Sequence, residues 1–243
     1  MAWVTGFSVP YVTTLAASIE ETLGSKWAVV QALISSSYKG YGTSSLKRNT
    51  LELGQPVKYL RTKGGNQSSK VVLMDHSTGC QNTIEYLSKF MNNSKFSDVQ
   101  KLDGGILQAP VSDSEAPDEL LPLGAPKILF GSPMCAYRYY SLVSKYGDDD
   151  YFSSYLTDED FENSFGQVLV PLLVLYSDSD EFVPSSIDKQ ALIMQWQRNI
   201  KPGIWSPPSA LIKVGTHNVG TGSEPGAVEN MISHVVAFLK DYN

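Results

Sequence analysis

The chain has 243 residues, of which 42% are hydrophobic and 18% are charged, and its formal net charge is −6 at pH 7. This length and composition predict a single domain over residues 1–243 with a full hydrophobic core, and they exclude a disordered chain. The negative net charge argues against nucleic acid and anionic membrane surfaces as partners.

Signals for export, metals and cofactors are sparse. No apolar run approaches the roughly 18 residues of a membrane-spanning helix, and the first residues lack a secretion signal, so we expect a cytoplasmic protein. Cys80 and Cys135 are then expected to be reduced thiols. The histidines lack the spacing of metal ligands and no glycine-rich phosphate loop is present, so neither a metal nor a cofactor is predicted.

Apolar strands alternate with helical patterns along the chain, which predicts a mainly parallel sheet flanked by helices. The predicted strands are residues 28–34, 71–74, 105–109, 172–176 and 211–214. The predicted helices are residues 12–23, 45–61, 80–91, 186–199 and 227–242. Gly54 and Pro56 are expected to break or kink the second helix.

Residues 112–166 interrupt this alternation and are rich in aromatic side chains. An insertion of this size after a strand predicts a lid or cap over a pocket; the alternative is an extra helical layer whose aromatic residues belong to the core. The acidic clusters at 148–150 and 158–160 favour helix starts or caps over metal ligands. The aromatic residues are Tyr137, Tyr139, Tyr140, Tyr146, Tyr151, Phe152, Tyr155, Phe161 and Phe165.

Residues 71–79 (VVLMDHSTG) consist of an apolar run and a small turn centred on Ser77. A strand, a sharp turn and a helix are typical of a nucleophile elbow, G-x-S-x-G, in which strained backbone lifts the serine hydroxyl above the sheet. Asp75 stands where the first glycine belongs, and an ordinary turn that contains a serine is the alternative. His76 is expected to line the pocket or to pack, since its side chain should point away from the serine hydroxyl.

A serine nucleophile needs a base and an orienting carboxylate, which α/β-hydrolases supply in the chain order Ser, Asp or Glu, His. His217 follows the last predicted strand and is the candidate base, whereas His234 lies in the C-terminal helix and is expected to be structural. Asp180 is the preferred acid over Asp178 and Glu181 because of its loop spacing. The order and spacing predict an α/β-hydrolase fold.

Long segments of the chain also match a known group of proteins. They are residues 76–81 (HSTGCQ), 105–113 (GILQAPVSD), 136–138 (AYR), 148–154 (DDDYFSS) and 173–185 (LVLYSDSDEFVPS). From about residue 9 to the C-terminus, the sequence resembles fungal α/β-hydrolases that include the siderophore esterases acting on fusarinine C and its triacetyl derivative.

This resemblance implies a small-molecule ester substrate, such as the ester bonds of an iron-loaded hydroxamate siderophore. It places Ser77, Asp180 and His217 at the triad positions. It also indicates His76, Tyr137 and Arg138 as candidate substrate-binding residues.

The expected reaction is acyl transfer through an acyl-enzyme, with the Thr78 backbone N–H in the oxyanion hole. Relatives carry further strands and a glycine-rich oxyanion loop before the segment matching residues 6–11, whereas this chain begins close to that segment. A shortened N-terminal sheet is therefore expected, with Thr5, Gly6 or Phe7 as the second oxyanion donor and Gly6 and Phe7 preferred. A homodimer that covers the exposed sheet edge is a further hypothesis.

Two other functions remain open from the sequence. A catalytically impaired α/β-hydrolase fold that binds a ligand or partner is favoured by Asp75 and by the short N-terminal region. A triad hydrolase that cleaves C–C or thioester bonds is equally compatible with the fold, because fold does not determine substrate.

Overall fold

The computed structural model describes residues 2–4, 9–62, 70–96, 99–116, 128–129 and 131–242. Its strands, in chain order, are β1 (Ala2–Val4), β2 (Val29–Gln31), β3 (Val72–His76), β4 (Gly104–Gln108), β5 (Ile128–Leu129), β6 (Ser132–Pro133), β7 (Leu172–Ser177) and β8 (Ala210–Ile212). Six of them form a sheet in the order β2-β1-β3-β4-β7-β8. All neighbouring pairs in this sheet are parallel.

The helices flank this sheet. They are α1 (Val12–Leu23), α2 (Leu46–Thr62), α3 (Gly79–Glu85), α4 (Ala136–Val143), α5 (Asp158–Glu162), α6 (Lys189–Asn199) and α7 (Ala227–Lys240). A single π-helical segment, Tyr86–Phe90, directly continues α3. Each of the five predicted helices and five predicted strands is present, with ends shifted by a few residues, and a parallel sheet flanked by helices is confirmed.

The structure corrects two of these predictions. Ala2–Val4 forms β1 between β2 and β3, a strand that the sequence pattern did not predict because only three residues take part. Helix α2 continues through Gly54 and Pro56, so it is not broken there, and a kink at these residues stays a prediction. Strands β2 and β8 are the outer strands, and a homodimer formed through a sheet edge stays a prediction.

Side chains of successive strand residues enter two separate cores, as the two-residue period of a strand requires. Leu73 and Leu107 face the cluster that contains residues of α2, α3 and α6. Met74 and Ile106 face the cluster that contains residues of α1 and α7. Both faces of the sheet are therefore covered, which explains why its central strands read as continuous apolar runs. No helix within the described ranges combines the length and apolarity needed to cross a membrane.

The described part of the insertion packs onto the main domain through aromatic side chains. Phe165 stacks on Trp196 of α6 with ring centroids 5.6 Å apart, and Phe152 meets the same indole edge-on. The cluster at 158–160 starts α5 through a capping box of Thr157 and Asp160, as predicted. The cluster at 148–150 begins no helix, which corrects that prediction: its residues instead bind side chains and backbone of the insertion.

Replacing Phe165 by alanine should destabilise the fold by about 3–5 kcal/mol, because it removes a fully buried ring and leaves a cavity against Trp196. Urea denaturation measures the free energy of unfolding. Tyr140→Ala is the matched control, since this aromatic residue of the same insertion is 63% exposed and should change stability by no more than about 0.5 kcal/mol. Equal losses in the two variants would contradict the packing described above.

Candidate functional site

Ser77 occupies a sharp turn between β3 and α3. Its φ of 56° lies in the left-handed region that non-glycine residues rarely adopt. The Ser77 N–H donates to the Gln108 carbonyl oxygen at 3.0 Å, and the Cys80 N–H donates to the Ser77 carbonyl oxygen at 2.9 Å. These bonds hold the strained turn, as a nucleophile elbow requires.

Three loops bring Ser77, His217 and Asp180 together. His217, in the loop after β8, has its Nε2 atom 2.7 Å from Ser77 Oγ. Its Nδ1 atom lies 2.8 Å from Oδ2 of Asp180, which is buried in the loop after β7. The other oxygen of Asp180 accepts a hydrogen bond from the Phe182 N–H at 3.0 Å. The three side chains thus form one continuous hydrogen-bonded chain.

The backbone of His217 is held on both sides. Its N–H donates to Oε2 of Glu181 at 2.8 Å, and its carbonyl oxygen accepts from Nε2 of Gln108 at 3.3 Å. Among the three acids considered from the sequence, Asp180 contacts the imidazole, Glu181 contacts the backbone, and Asp178 is exposed. His234 lies on α7, outside this constellation.

The Asp75 side chain fits beneath the elbow. Its Oδ2 atom accepts a hydrogen bond from Oγ1 of Thr83 at 2.8 Å, and the residue is fully buried. Oδ1 has no partner among the described residues and lies 2.8 Å from where a Cβ on Gly79 would be, so Gly79 provides the space that Asp75 needs. Burial raises the pKa of the Asp75 carboxyl well above its usual range, which favours the neutral form.

A cavity of about 600 Å³ opens beside Ser77. The segment after β2 forms much of its wall, with Leu33, Tyr38 and Tyr41 among the lining residues, and Phe182 and His217 line it from the other loops. Leu33 and Tyr38 are more than half exposed. The cavity is therefore bordered by large apolar and aromatic side chains that solvent can reach.

Arg138 is the residue by which the described part of the insertion contributes to the cavity lining. Its buried guanidinium bonds Oδ2 of Asp149 at 2.5 Å, and its Nε–H donates to the Tyr41 carbonyl oxygen at 3.0 Å. Burial raises the pKa of the nearby Asp113 carboxyl to about 7, and the charge of Asp149 adds to this effect. Arg138, which Asp149 holds within the insertion, therefore joins the insertion to the cavity wall through the Tyr41 carbonyl oxygen.

Tyr137 is not among the described residues that line the cavity. It is half-exposed, and its hydroxyl donates to Oδ2 of Asp148 at 2.6 Å. Neighbouring residues on a helix point about 100° apart, so the same turn of α4 that aims Arg138 inward carries Tyr137 outward. The structure thus places Arg138 at the cavity and Tyr137 away from its described lining, and substrate binding by either residue stays a prediction.

His76 lines the cavity next to Ser77, and its ring centroid is 4.7 Å from that of His217. Burial, together with the neighbouring His217, lowers the pKa of His76 to about 4, so the ring is neutral at physiological pH. Thr78 also lines the cavity, and no described residue accepts a hydrogen bond from its backbone N–H. Gly6 and Phe7 lie outside the described residues.

Sequence reasoning missed Gln108 and the wall after β2. Gln108 ends β4, which is the direct neighbour of β3 in the sheet, so a polar residue at that strand end could have been recognised as close to Ser77. The wall residues carry no motif, since a stretch of serine, glycine and tyrosine reads only as a loop. Within the ranges that the structure describes, no group of three or more His, Cys, Asp or Glu residues could hold a metal ion.

The chain matches a protein family described as "Protein of unknown function (DUF1749)" over residues 5–126 and 115–240. It is 34% identical to the UPF0613 protein PB24D3.06c of Schizosaccharomyces pombe, over 97% of this chain and 84% of that protein. It is also 28% identical to the fusarinine C esterase sidJ of Aspergillus fumigatus, over 94% of this chain and 84% of that protein.

Among solved structures, the siderophore hydrolase EstB from Aspergillus fumigatus superposes with a TM-score of 0.81 at 28% sequence identity. The match covers 99% of this chain and 89% of that chain. This superposition, together with the parallel sheet flanked by helices, assigns the α/β-hydrolase fold to this chain.

Replacing Asp75 by asparagine tests the neutral state of this carboxyl. The unfolded wild type loses the Asp75 proton near pH 4, whereas the raised pKa keeps the proton on the folded protein. Between pH 4 and the pKa of Asp75 in the folded protein, the unfolding free energy of the wild type therefore falls by about 1.4 kcal/mol per pH unit. The variant has no carboxyl at this position and does not show this loss.

Urea denaturation at pH 5 and pH 6 measures this effect as the difference in unfolding free energy between Asp75→Asn and the wild type. The unfolding free energy of the variant should rise relative to that of the wild type between the two pH values, by at most about 1.4 kcal/mol, the limit for one proton over one pH unit. The same comparison for the exposed Asp178→Asn is the matched control. A difference for Asp75→Asn that is independent of pH would show that the buried carboxyl is ionised.

Proposed function

Because the chain belongs to the DUF1749 family, we propose that it shares the chemistry named for its esterase relatives and is a serine ester hydrolase. Its proposed substrates are ester bonds of a hydroxamate siderophore of the fusarinine C type or of a related secondary metabolite. The observation that carries the proposal is the continuous hydrogen-bonded chain Ser77–His217–Asp180 at a strained turn.

Ser77 is the proposed nucleophile. As its oxygen bonds to the ester carbonyl carbon, the hydroxyl proton moves to Nε2 of His217, which lies 2.7 Å away. The tetrahedral intermediate collapses to an acyl-enzyme, and the imidazolium returns the proton to the departing alcohol. A water molecule then repeats the sequence on the acyl-enzyme, with His217 again as the base, and the free acid leaves.

Asp180 acts on His217. Its buried carboxylate accepts the Nδ1–H, which keeps Nε2 unprotonated and directed at Ser77. It also stabilises the imidazolium that forms during each step. Glu181 and Gln108 contribute by fixing the backbone of His217, so that a rotation of the loop does not lengthen the bond to Ser77.

The Thr78 backbone N–H is the first proposed oxyanion donor. It follows the nucleophile at the start of α3, where N–H groups and the helix dipole favour negative charge. A second N–H from Gly6 or Phe7 completes the proposed oxyanion hole. Two such donors stabilise charge that develops in the transition state and not in the substrate, so they lower the barrier itself.

The surroundings of the triad support catalysis over an impaired binding protein. Asp75, the feature that favoured such a protein, lies beneath the turn and leaves the bond between Ser77 and His217 intact. A cavity of about 600 Å³ is within the usual range for small-molecule sites. We propose that the insertion at 112–166 and the segment after β2 together cover a substrate in this cavity.

Ser77→Ala tests the nucleophile. It should abolish labelling by a fluorophosphonate probe and lower kcat/KM for an ester substrate by about 10⁶-fold, because it removes the oxygen that forms the acyl-enzyme. With an iron-loaded fusarinine-type siderophore, mass spectrometry should detect hydrolysis products with wild type and none with the variant. Identical product masses for the two proteins would remove the siderophore esterase proposal.

The matched control for this experiment is Ser185→Ala, because Ser185 is exposed and lies beyond the acidic loop. It should retain both labelling and turnover. Labelling of Ser77→Ala by the probe would show that another residue is the reactive nucleophile.

Asp180→Asn should lower kcat by roughly 10⁴-fold with little change in KM, because an amide no longer favours the Nδ1–H tautomer of His217. Steady-state kinetics on a chromogenic ester measures the effect. Asp178→Asn, two residues away and exposed, is the matched control and should stay within about twofold of wild type. A comparable loss of kcat in both variants would show that Asp180 is not the specific partner of the His217 imidazole.

A further inference from the structure

Gln108 links the turn of Ser77 to the loop of His217, and a backbone carbonyl sets the orientation of its side-chain amide. The Gln108 amide approaches the carbonyl oxygen of His217 at 3.3 Å. A carbonyl oxygen can only accept, so the atom of Gln108 that faces it is the NH₂ group. The amide oxygen of Gln108 therefore faces the other way, toward His76 and Tyr11.

This orientation determines which nitrogen of His76 carries the proton. The Gln108 oxygen lies 2.5 Å from His76 Nδ1 and 2.9 Å from the Tyr11 hydroxyl. An amide oxygen only accepts, so Nδ1 must be the protonated nitrogen, and the two donors fill both lone pairs of the oxygen. In a neutral imidazole with a proton on Nδ1, Nε2 carries a lone pair and no proton.

The Nε2 atom of His76 has no partner among the described residues, although His76 lines the cavity beside Ser77. The side-chain amide oxygens of the wall are already engaged. Asn49 Oδ1 accepts from Ser44, and Asn82 Oδ1 accepts from Asn49. The described lining residues also include no carboxylate, so the other side-chain acceptors there are hydroxyl oxygens, which can donate as well as accept.

We propose that Nε2 of His76 is a fixed hydrogen-bond acceptor that selects esters carrying an N–H or O–H donor beside the scissile bond. This inference rests on the proposed function, because it places the donor next to the ester that Ser77 attacks. Gln108 is a positioning residue in this scheme, since it acts through the His76 tautomer. An amide or hydroxyl group on the acyl side is the matching substrate chemistry.

The tautomer can be measured without any substrate. Long-range ¹H–¹⁵N correlation spectra of the protein labelled at its three histidines distinguish the Nδ1–H form from the Nε2–H form. His76→Gln identifies the His76 signals by their disappearance. We expect a neutral Nδ1–H form of His76 at pH 7, and an Nε2–H form or an imidazolium would overturn the inference whatever the catalytic activity.

Selectivity is tested with two p-nitrophenyl esters of nearly equal shape, that of N-acetylalanine, which carries an N–H, and that of O-acetyllactate, in which an oxygen replaces it. A neutral hydrogen bond predicts that wild type prefers the first by about 3- to 10-fold in kcat/KM. His76→Phe keeps an aromatic ring without the acceptor and should bring this ratio to about 1. His76→Gln, which retains an acceptor, should keep part of the preference.

The outcomes separate this inference from the proposed function. Ser77-dependent hydrolysis of both esters with equal kcat/KM in wild type would overturn the selectivity and leave the hydrolase intact. No Ser77-dependent hydrolysis of either ester would instead count against the proposed hydrolase, while the spectra still decide the tautomer. If His76→Phe fails to fold, as judged by thermal unfolding, the ratio in His76→Gln and the wild-type spectra still decide the inference.

Discussion

The hydrogen bond between Ser77 and His217 joins residues that are 140 positions apart in the chain. Such a contact needs both loops to be held to within a few tenths of an ångström, since a hydrogen bond weakens steeply with distance and angle. The parallel sheet provides this precision because β3, β4, β7 and β8 all end at the same edge. The Ser77 N–H then bonds the end of β4, and the N–H groups of Asp178 and Ser179 after β7 bond the end of β8 and the loop that follows it.

The site contains more buried polar groups than a simple triad needs, and most of them are paired. The Arg138–Asp149 ion pair is almost fully buried, and Gln108 satisfies three different partners at once. Pairs of this kind contribute little net stability, because desolvation offsets their attraction, but an unpaired member would be costly. Their effect is to specify one arrangement of the cavity wall. Asp75 meets the same cost differently, since its raised pKa favours the uncharged form.

The sequence predicted the α/β-hydrolase fold and every long element, because continuous apolar strands and helical periodicity are strong local signals. It also identified Ser77, His217 and Asp180 as candidates, since each of them directly follows a strand. The three-residue β1 was missed because a short strand has too few residues to show a pattern. The outward position of Tyr137 was missed because a motif carries no information about which side of a helix faces the cavity.

The Asp75 substitution in the elbow motif illustrates why a departure from a pattern has to be judged in three dimensions. A glycine is favoured at that position where nothing else fits, yet here Thr83 binds the carboxyl and Gly79 leaves room for it. Position 76 is an x position of the motif, where any residue is allowed. Its side chain nevertheless has a defined role, because Gln108 determines which nitrogen of the His76 ring carries the proton. The G-x-S-x-G pattern fixes the geometry of the turn through its backbone. The chemistry beside the nucleophile is then decided by residues from neighbouring strands, which the motif does not include.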